Sequence, residues 1–557
     1  MKLKNTCALA TLVALAVASL ASHAQTQTLK EVTQQAVLSN PEVQARWHAF
    51  EAAGHERAAG AGAYLPRLDL AAGIGRDNQD DPLRTSKLSR SSTSLTLTQM
   101  LFDGFLTKND VARLDHARLA RLYELRDTTE TVVLDVVRSY ADVLRYRRLV
   151  ELAEDNYVRH QAVFIQIQKK TQAGVSRRVD LEQIAGRLAL AESNLLQETA
   201  NLHDVSARFQ RLVGVVPAAT LEPMKPLTGG LPLTIGAALG TALKTHPALQ
   251  AAVENVRAND KAGAARRAAY APRLDLVMRN DRGNNLNGIS GRTNNGAVEL
   301  QMSWNLFNGL SDLSRVRQQA DLINVARDQR DKACRDVRQT LLIAYNDTVK
   351  LTEQLSYLDQ HQLSIEKARD AYRNQFDIGQ RSLLDLLDSE NELFQSKRSY
   401  ANAQYDQFYA YARTHAGMGL LHQALGLSRQ EPGALPESGR QDDRADAVQN
   451  CPNELPQTYV IDKAKLNERA REYVFNTPTG PLPAAPAITA PAAPAPVAPP
   501  VLAPIVKPAP PVPACVAPAM PASDALAPVT RPSARKYKRK APARRKAADP
   551  TFGCKPV

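Results

Sequence analysis

The sequence repeats itself at an almost fixed distance, and that repeat limits the fold more than any other feature. Ser39-Asn40-Pro41-Glu42-Val43-Gln44-Ala45 is matched by Thr245-His246-Pro247-Ala248-Leu249-Gln250-Ala251, and Pro41 and Pro247 lie 206 residues apart. Tyr64-Leu65-Pro66-Arg67-Leu68-Asp69-Leu70 meets Tyr270-Ala271-Pro272-Arg273-Leu274-Asp275-Leu276 at the same distance. From Leu101-Phe102-Asp103-Gly104 and its match Leu306-Phe307-Asn308-Gly309 the distance is 205. It stays so for Tyr140 and Tyr345, Gly174 and Gly379, Asp180-Leu181 and Asp385-Leu386, and Gly214 and Gly419. The fold is therefore built from one unit used twice. A single residue is lost between the two motif groups, a change that an exposed loop absorbs.

Each unit has the same order of elements. A short helix is expected at Asn40-Pro41 and at His246-Pro247, since Asn caps well and Pro suits the first helical position. Two strand-like runs follow around a polar loop. Then comes a stretch with neither Gly nor Pro, Phe105 to Ala173 in the first unit and Leu310 to Ile378 in the second. As helices, each would run for roughly 100 Å. They are too polar for lipid: Arg145, Arg147, Arg148, Glu151, Glu154 and Asp155 crowd one region. After a turn at Gly174 or Gly379 a helix returns. In the second unit it carries Leu387, Phe394, Ala401 and Phe408 at seven-residue intervals, the seam of a coiled coil.

The strand-like runs alternate. Val298, Leu300, Met302, Trp304 and Leu306 are set to one side, and Glu299, Gln301, Ser303 and Asn305 to the other. Leu95, Leu97 and Leu101 oppose Ser94, Thr96 and Thr98, while Leu68, Leu70, Ala72 and Ile74 alternate with Arg67, Asp69, Ala71 and Gly73. Segments of about ten residues with this pattern suit an outer-membrane barrel. Four strands do not close one, because such barrels begin at about eight. Two copies would supply eight strands and three would supply twelve, and the pattern does not choose between them.

The N-terminus reads as a signal peptide, residues 1–24. Lys2 and Lys4 precede an apolar run from Leu9 to Leu20, and Ser22-His23-Ala24 offers small residues for cleavage after Ala24. Cys7 lies within this segment, well before the cleavage site, and departs with it. No later stretch reaches about 18 consecutive apolar residues, so any membrane passage falls to a barrel. Of the remaining cysteines, Cys334 sits in a long expected helix, and Cys451, Cys515 and Cys554 sit near the C-terminus. None shows metal-binding spacing. A disulfide within the tail and free thiols both fit.

The duplicated Asn/His-Pro helix starts, the two Tyr-x-Pro-Arg-Leu-Asp-Leu strands, the Leu-Phe-Asp/Asn-Gly junctions and the turn from Gly379 to Asp388 together resemble the TolC-like outer membrane factor family. The match covers about residues 28–425. The resemblance implies a mostly α fold with β, in which tandem β-β-α repeats (25–220 and 221–425) assemble as a homotrimer. It implies a 12-stranded barrel in outer-membrane lipid, continued by a long periplasmic α-helical coiled-coil barrel. It calls for no cofactor and no catalysis. The partners it implies are a periplasmic adaptor and an inner-membrane transporter, either an ABC exporter or a proton-driven pump. The cargo, secreted proteins or drugs and other small molecules, stays open. The missing lipid-anchor cysteine leans toward type I protein secretion.

Residue by residue, the resemblance places Asp385 and Asp388 on the aspartate rings of the periplasmic gate. Their spacing of three sets them on one helical face. Rings of carboxylates around a narrow hole favour cations and block by multivalent metals. Arg381 falls on the gating arginine and Asp180 on its carboxylate partner. Phe376 stands where the family has a gate tyrosine, so one hydroxyl link is missing or replaced.

From about residue 426 the character changes. Pro and Ala dominate from Thr477 to Pro532, and a basic cluster follows, including Lys536, Lys538, Arg539, Lys540, Arg544, Arg545 and Lys546. Such sequence supports no core and reads as an extended tether. It accounts for much of the net charge of +13. Anionic envelope surfaces suit it better than nucleic acid. Two rival readings are a periplasmic coiled-coil adaptor and an envelope protein without a pore. The tandem β-β-α order speaks against the adaptor, and phosphate-loop, His-Glu-x-x-His and nucleophile motifs are missing.

Overall fold

The computed structural model describes residues 26–82, 84–286, 289–427, 451, 454–456 and 461–476. The signal peptide, the Pro/Ala-rich and basic stretch, Cys515 and Cys554 lie outside the described residues. One compact unit runs to Pro456 and holds both repeats; a second begins at Gln457 and contains helix α10, Lys463–Asn476.

In the first repeat α1 (Leu29–Ser39) and α2 (Pro41–Ala61) precede strands β1 (Arg67–Asp81) and β2 (Arg84–Phe102), then α3 (Leu106–Gln172) and α4 (Arg178–Val213). The second repeats the order with α5 (Ile235–Thr245), α6 (Pro247–Arg267), β3 (Arg273–Asn284), β4 (Arg292–Ser303), α7 (Ser311–Asp377) and α8 (Leu383–Gly417), and a short α9 (Leu421–Ala424) follows. The long helices α3 and α7 have 67 residues each. The helices expected at the Asn-Pro and His-Pro starts are 21 residues long rather than short. Each is preceded by a further helix, α1 or α5, that the Asn-Pro and His-Pro starts do not announce. Thr28 and Thr234 cap these two, and Thr28 forms a capping box with Glu31.

The four strands form one antiparallel sheet in the order β1-β2-β3-β4. Arg67 pairs with Thr98 in the first hairpin and Arg273 with Ser303 in the second, so the two registers are equivalent. The lost residue therefore falls at the hairpin tips. Across the sheet, Leu68 faces Leu97, Leu97 faces Met278, and Met278 faces Val298. The neighbouring row of the same face adds Leu276 opposite Leu300. The other face carries rows such as Asp69, Thr96 and Arg279. Two positions depart from strict alternation. The pairing slips between Met100 and Phe102, so Phe102 takes the position opposite Leu274 that Leu101 was expected to hold. Trp304 and Leu306 lie past the end of β4, outside the alternating ladder.

Entry into each long helix uses the Leu-Phe-Asp/Asn-Gly motif. Phe105 and Leu310 adopt left-handed backbone, with φ of 65° and 63°. The Thr107 N–H donates to Asp103 Oδ2 at 2.8 Å, and the Asp312 N–H to Asn308 Oδ1 at 3.4 Å. The matched tyrosines also do the same work in both repeats. Tyr140 donates to the carbonyls of Gln27 and Glu222, and Tyr345 to those of Pro232 and Leu233. Burial pushes the Tyr140 phenol up to about 12. Around Tyr140 lies the largest core cluster, where Val132, Val136 and Val143 of α3 meet Val32, Phe209 and Phe408.

The two long helices are not packed alike. α3 touches α1, α2, α4, α6, α8 and α9 and buries residues along much of its length, whereas α7 packs mainly on α6 and α8. Leu322, Val325, Ile343 and Val349 of α7 stay exposed. The four seam residues of α8, Leu387, Phe394, Ala401 and Phe408, are all buried.

Cys334 of α7 forms a disulfide with Cys451, with Cα atoms 6.1 Å apart. The bond thus joins a repeat to the segment beyond it, rather than linking two tail cysteines. Both residues are buried beside Leu239, Val337, Leu341 and Met418.

Two predictions arise here. Non-reducing peptide mapping of the purified protein should give a linked pair containing Cys334 and Cys451. Cys334→Ser should lower stability by about 2–5 kcal/mol in thermal melts. The second prediction concerns the His246 cap, whose Nδ1 accepts from the Ala248 N–H at 3.3 Å. Burial pushes its imidazole from 6.5 down to about 4. The folded chain therefore holds His246 neutral, and stability falls as pH drops from 6.5 toward 4, by up to about 3 kcal/mol. His246→Asn, which copies the Asn40 cap, should flatten that pH dependence in melts.

Candidate functional site

The expected gate residues cluster where the long helices turn back. Both turns are built alike. Gly174 and Gly379 have φ of 74° and 80°, a region where a side chain would be strained. The Val175 N–H donates to the Lys170 carbonyl at 2.8 Å and the Gln380 N–H to the Gln375 carbonyl at 2.8 Å, each closing the spent end of a long helix.

The aspartate after each turn starts the returning helix. Asp180 accepts from the Ser176 hydroxyl at 3.0 Å and the Arg177 N–H at 3.3 Å. Asp385 accepts from the Ser382 hydroxyl at 2.9 Å and the Ser382 N–H at 3.3 Å. Carboxylates there also face the positive end of the helix. Asp180 and Asp385 are therefore equivalent capping residues, and Asp385 is still half-exposed.

The other gate candidates have no such counterpart. Asp388, one turn further along α8, receives the Arg187 guanidinium of α4 at 2.6 Å. Arg187 is a partner that the sequence reading did not name. Arg381 donates from Nε to Gln375 Oε1 at 3.0 Å, and its guanidinium lies 4.5 Å from the Tyr372 ring centre. Its nearest carboxylate contact is Asp385, at 3.9 Å. Within one chain Arg381 and Asp180 are thus engaged separately. These exposed pairs each contribute little to stability and leave their charges available at the surface.

Phe376 points inward instead. It is buried with Val163 and Ile167 of α3, Ile184 of α4, and Leu383, Leu386 and Leu387 of α8. Lys170 Nζ stands 5.2 Å from its ring centre. Where a tyrosine would offer a hydroxyl, this chain ties α7 to α3 through apolar contact and a cation over the ring face.

A sheet with one apolar face, long hairpins and a polar, carboxylate-bearing tip form a fold already known. The outer membrane efflux protein family matches residues 32–215 and 238–419, one segment per repeat. The chain belongs to the outer membrane efflux protein family. It is an outer-membrane exit duct with a periplasmic part, and not an enzyme. It is 24% identical over 369 residues to the outer membrane efflux protein BepC of Brucella suis biovar 1 (strain 1330), covering 66% of this chain and 79% of BepC. It is 24% identical over 435 residues to the outer membrane protein TolC of Escherichia coli (strain K12), covering 74% of this chain and 86% of TolC. Its fold is like that of the outer-membrane channel OprN, with a TM-score of 0.63, 18% identity, and coverage of 70% of this chain and 89% of that one.

The burial of Phe376 gives a direct test. Phe376→Ala should destabilise the tip by about 3–5 kcal/mol. Faster hydrogen exchange confined to the α7–α8 turn and its α3 contacts would report this. Unchanged exchange there would show that the ring does not hold the tip.

Proposed function

We propose that three copies of the chain, each contributing repeats 25–220 and 221–425, close a 12-stranded barrel in the outer membrane and a helical barrel beneath it. The observation that carries this reading is the sheet. It has one apolar face, is open at β1 and β4, and leaves Ile74 92% exposed. In lipid, each open edge needs a partner strand. The sparsely covered face of α7, with Leu322, Val325, Ile343 and Val349 exposed, offers a surface for the next copy. Tyr64, Tyr270, Trp304 and Phe307 stand exposed where the sheet meets the helices. Aromatic residues suit the boundary between lipid and water.

The duct opens at its periplasmic tip when an adaptor and an inner-membrane transporter dock. The transporter is an ABC exporter serving type I secretion or a proton-driven pump expelling small molecules. Asp385 and Asp388 form the two carboxylate rings around the entrance. Arg381 reaches Asp180 across the contact between copies, a pairing that neither makes within its own chain. Arg187 shields Asp388 in the closed state.

Native mass measurement of detergent-extracted protein should give three copies, and a water-soluble monomer would overturn the reading. In planar bilayers, trivalent cations should block the channel, and Asp385→Ala with Asp388→Ala should weaken that block. Unchanged block would remove the ring assignment.

A further inference from the structure

Behind the tip, the apolar seam between α3 and α8 is interrupted. Val163 and Ile167 of α3 meet Leu383, Leu386 and Leu387 of α8 on the tip side. Leu149, Leu152 and Ala153 meet Phe394 and Ala401 on the other. Between them stands Glu390, three residues after Leu387 and four before Phe394, and only 2% exposed. Three guanidiniums surround it at 3.8 Å: Arg159 of α3, and Arg369 and Arg373 of α7. Asn156 and His160 of α3 are buried in the adjoining turn. Both Glu390 oxygens, Arg369 Nε and Asn156 Oδ1 have no hydrogen-bond partner among the described residues.

Among its described residues, the first repeat has no such cluster. At the positions equivalent to Glu390, Arg369 and Arg373 it carries Ala185, Phe164 and Gln168. The carboxylate and two of its three guanidiniums thus belong to the second hairpin, the one bearing Arg381 and Asp388. Buried charge in a coiled-coil seam is not explained by stability, since a well-packed apolar pair is as good or better. Half-satisfied polar layers are weak points in an otherwise continuous core.

We propose that the Glu390 layer is a second latch, set behind the aspartate rings, which clamps the α7–α8 hairpin to α3 and gives way when the tip opens. This rests on the gate reading above. One carboxylate holds three guanidiniums from two helices together. With the carboxylate in place the helices are drawn toward α8. Without it, three like charges face one another across the α3–α7–α8 junction, with only Arg369 keeping a second carboxylate among the described residues, Asp370 at 3.1 Å, and they push the hairpin away. Removing one arginine leaves the attraction in place. The layer is therefore asymmetric: loss of the anion opens it, and loss of a cation does not.

The test is the basal conductance of the purified full-length oligomer in planar bilayers. Glu390→Gln should raise conductance several-fold, Arg373→Gln should leave it near that of the unaltered protein, and the double variant should fall between them. Added Arg373→Gln relieves part of the repulsion, an effect that a merely structural role for Glu390 would not produce. If Glu390→Gln does not assemble, Glu390→Asp, which keeps the charge but shortens its reach, should give a smaller rise. Conductance unchanged in the assembled Glu390 variant would overturn the latch. The Asp385/Asp388 double variant separates the two readings. Altered cation block there beside unchanged conductance in Glu390→Gln rejects the latch alone, while unchanged block rejects the gate on which it rests.

Discussion

A four-stranded sheet with two open edges cannot end in lipid. Each backbone N–H and C=O along an open edge needs a partner, and hydrocarbon provides none. The sheet order β1-β2-β3-β4 leaves β1 and β4 at the edges, and the row Leu68, Leu97, Met278 and Val298 turns one face apolar. The remaining architecture answers to that constraint. Equivalent hairpin registers keep all four strands on a common face. The bulge beside Leu101 and the left-handed residues Phe105 and Leu310 then redirect the chain from a sheet into helices.

The helical part obeys a different rule. A 67-residue helix in water must be held by packing, since propensity alone does not fix it. α3 is held by six neighbours and α7 mainly by two. The α8 seam supplies the order, in layers from Phe408 down to Leu387. The only charge in that series, Glu390, falls next to the small cluster that holds the tip. Thus the last apolar layer, with Phe376 inside it, is separated from the main core by the least satisfied polar atoms of the seam.

Much of this was legible in the sequence because it depends on periodicity. Gly-free and Pro-free runs marked α3 and α7 to within about a residue at each end. The seven-residue interval found the buried face of α8, and the 206-to-205 change marked a loop between the two strand-like runs, which the registers place at the hairpin tips. What escaped was set by three-dimensional neighbours. α1, which ends one residue before the Asn40-Pro41 start of α2, was not read as a helix, although Thr28 and Glu31 carried a start signal. The partner of Cys334 is 117 residues away, beyond any local pattern. Arg187 meets Asp388 only because α4 and α8 run side by side. Glu390 did leave a trace, as a charge placed midway between two seam residues, but its three arginines come from two other helices.

Comparison of the repeats with each other separates scaffold from device. Positions that close, cap or clamp the chain are the same in both: Gly174 and Gly379, Asp180 and Asp385, Tyr140 and Tyr345. Positions that carry the remaining tip chemistry differ. Arg381 corresponds to Ser176, Asp388 to Gln183, Phe376 to Thr171 and Glu390 to Ala185. Both hairpins need the same turn, so duplication kept its parts in each. A gate needs one hairpin to move against another, and two identical hairpins would resist opening equally. In the proposed gate, the carboxylates Asp388 and Glu390 sit on the second hairpin, so α7 and α8 are the pair that moves, and α3, packed against six other helices, is the wall they close against.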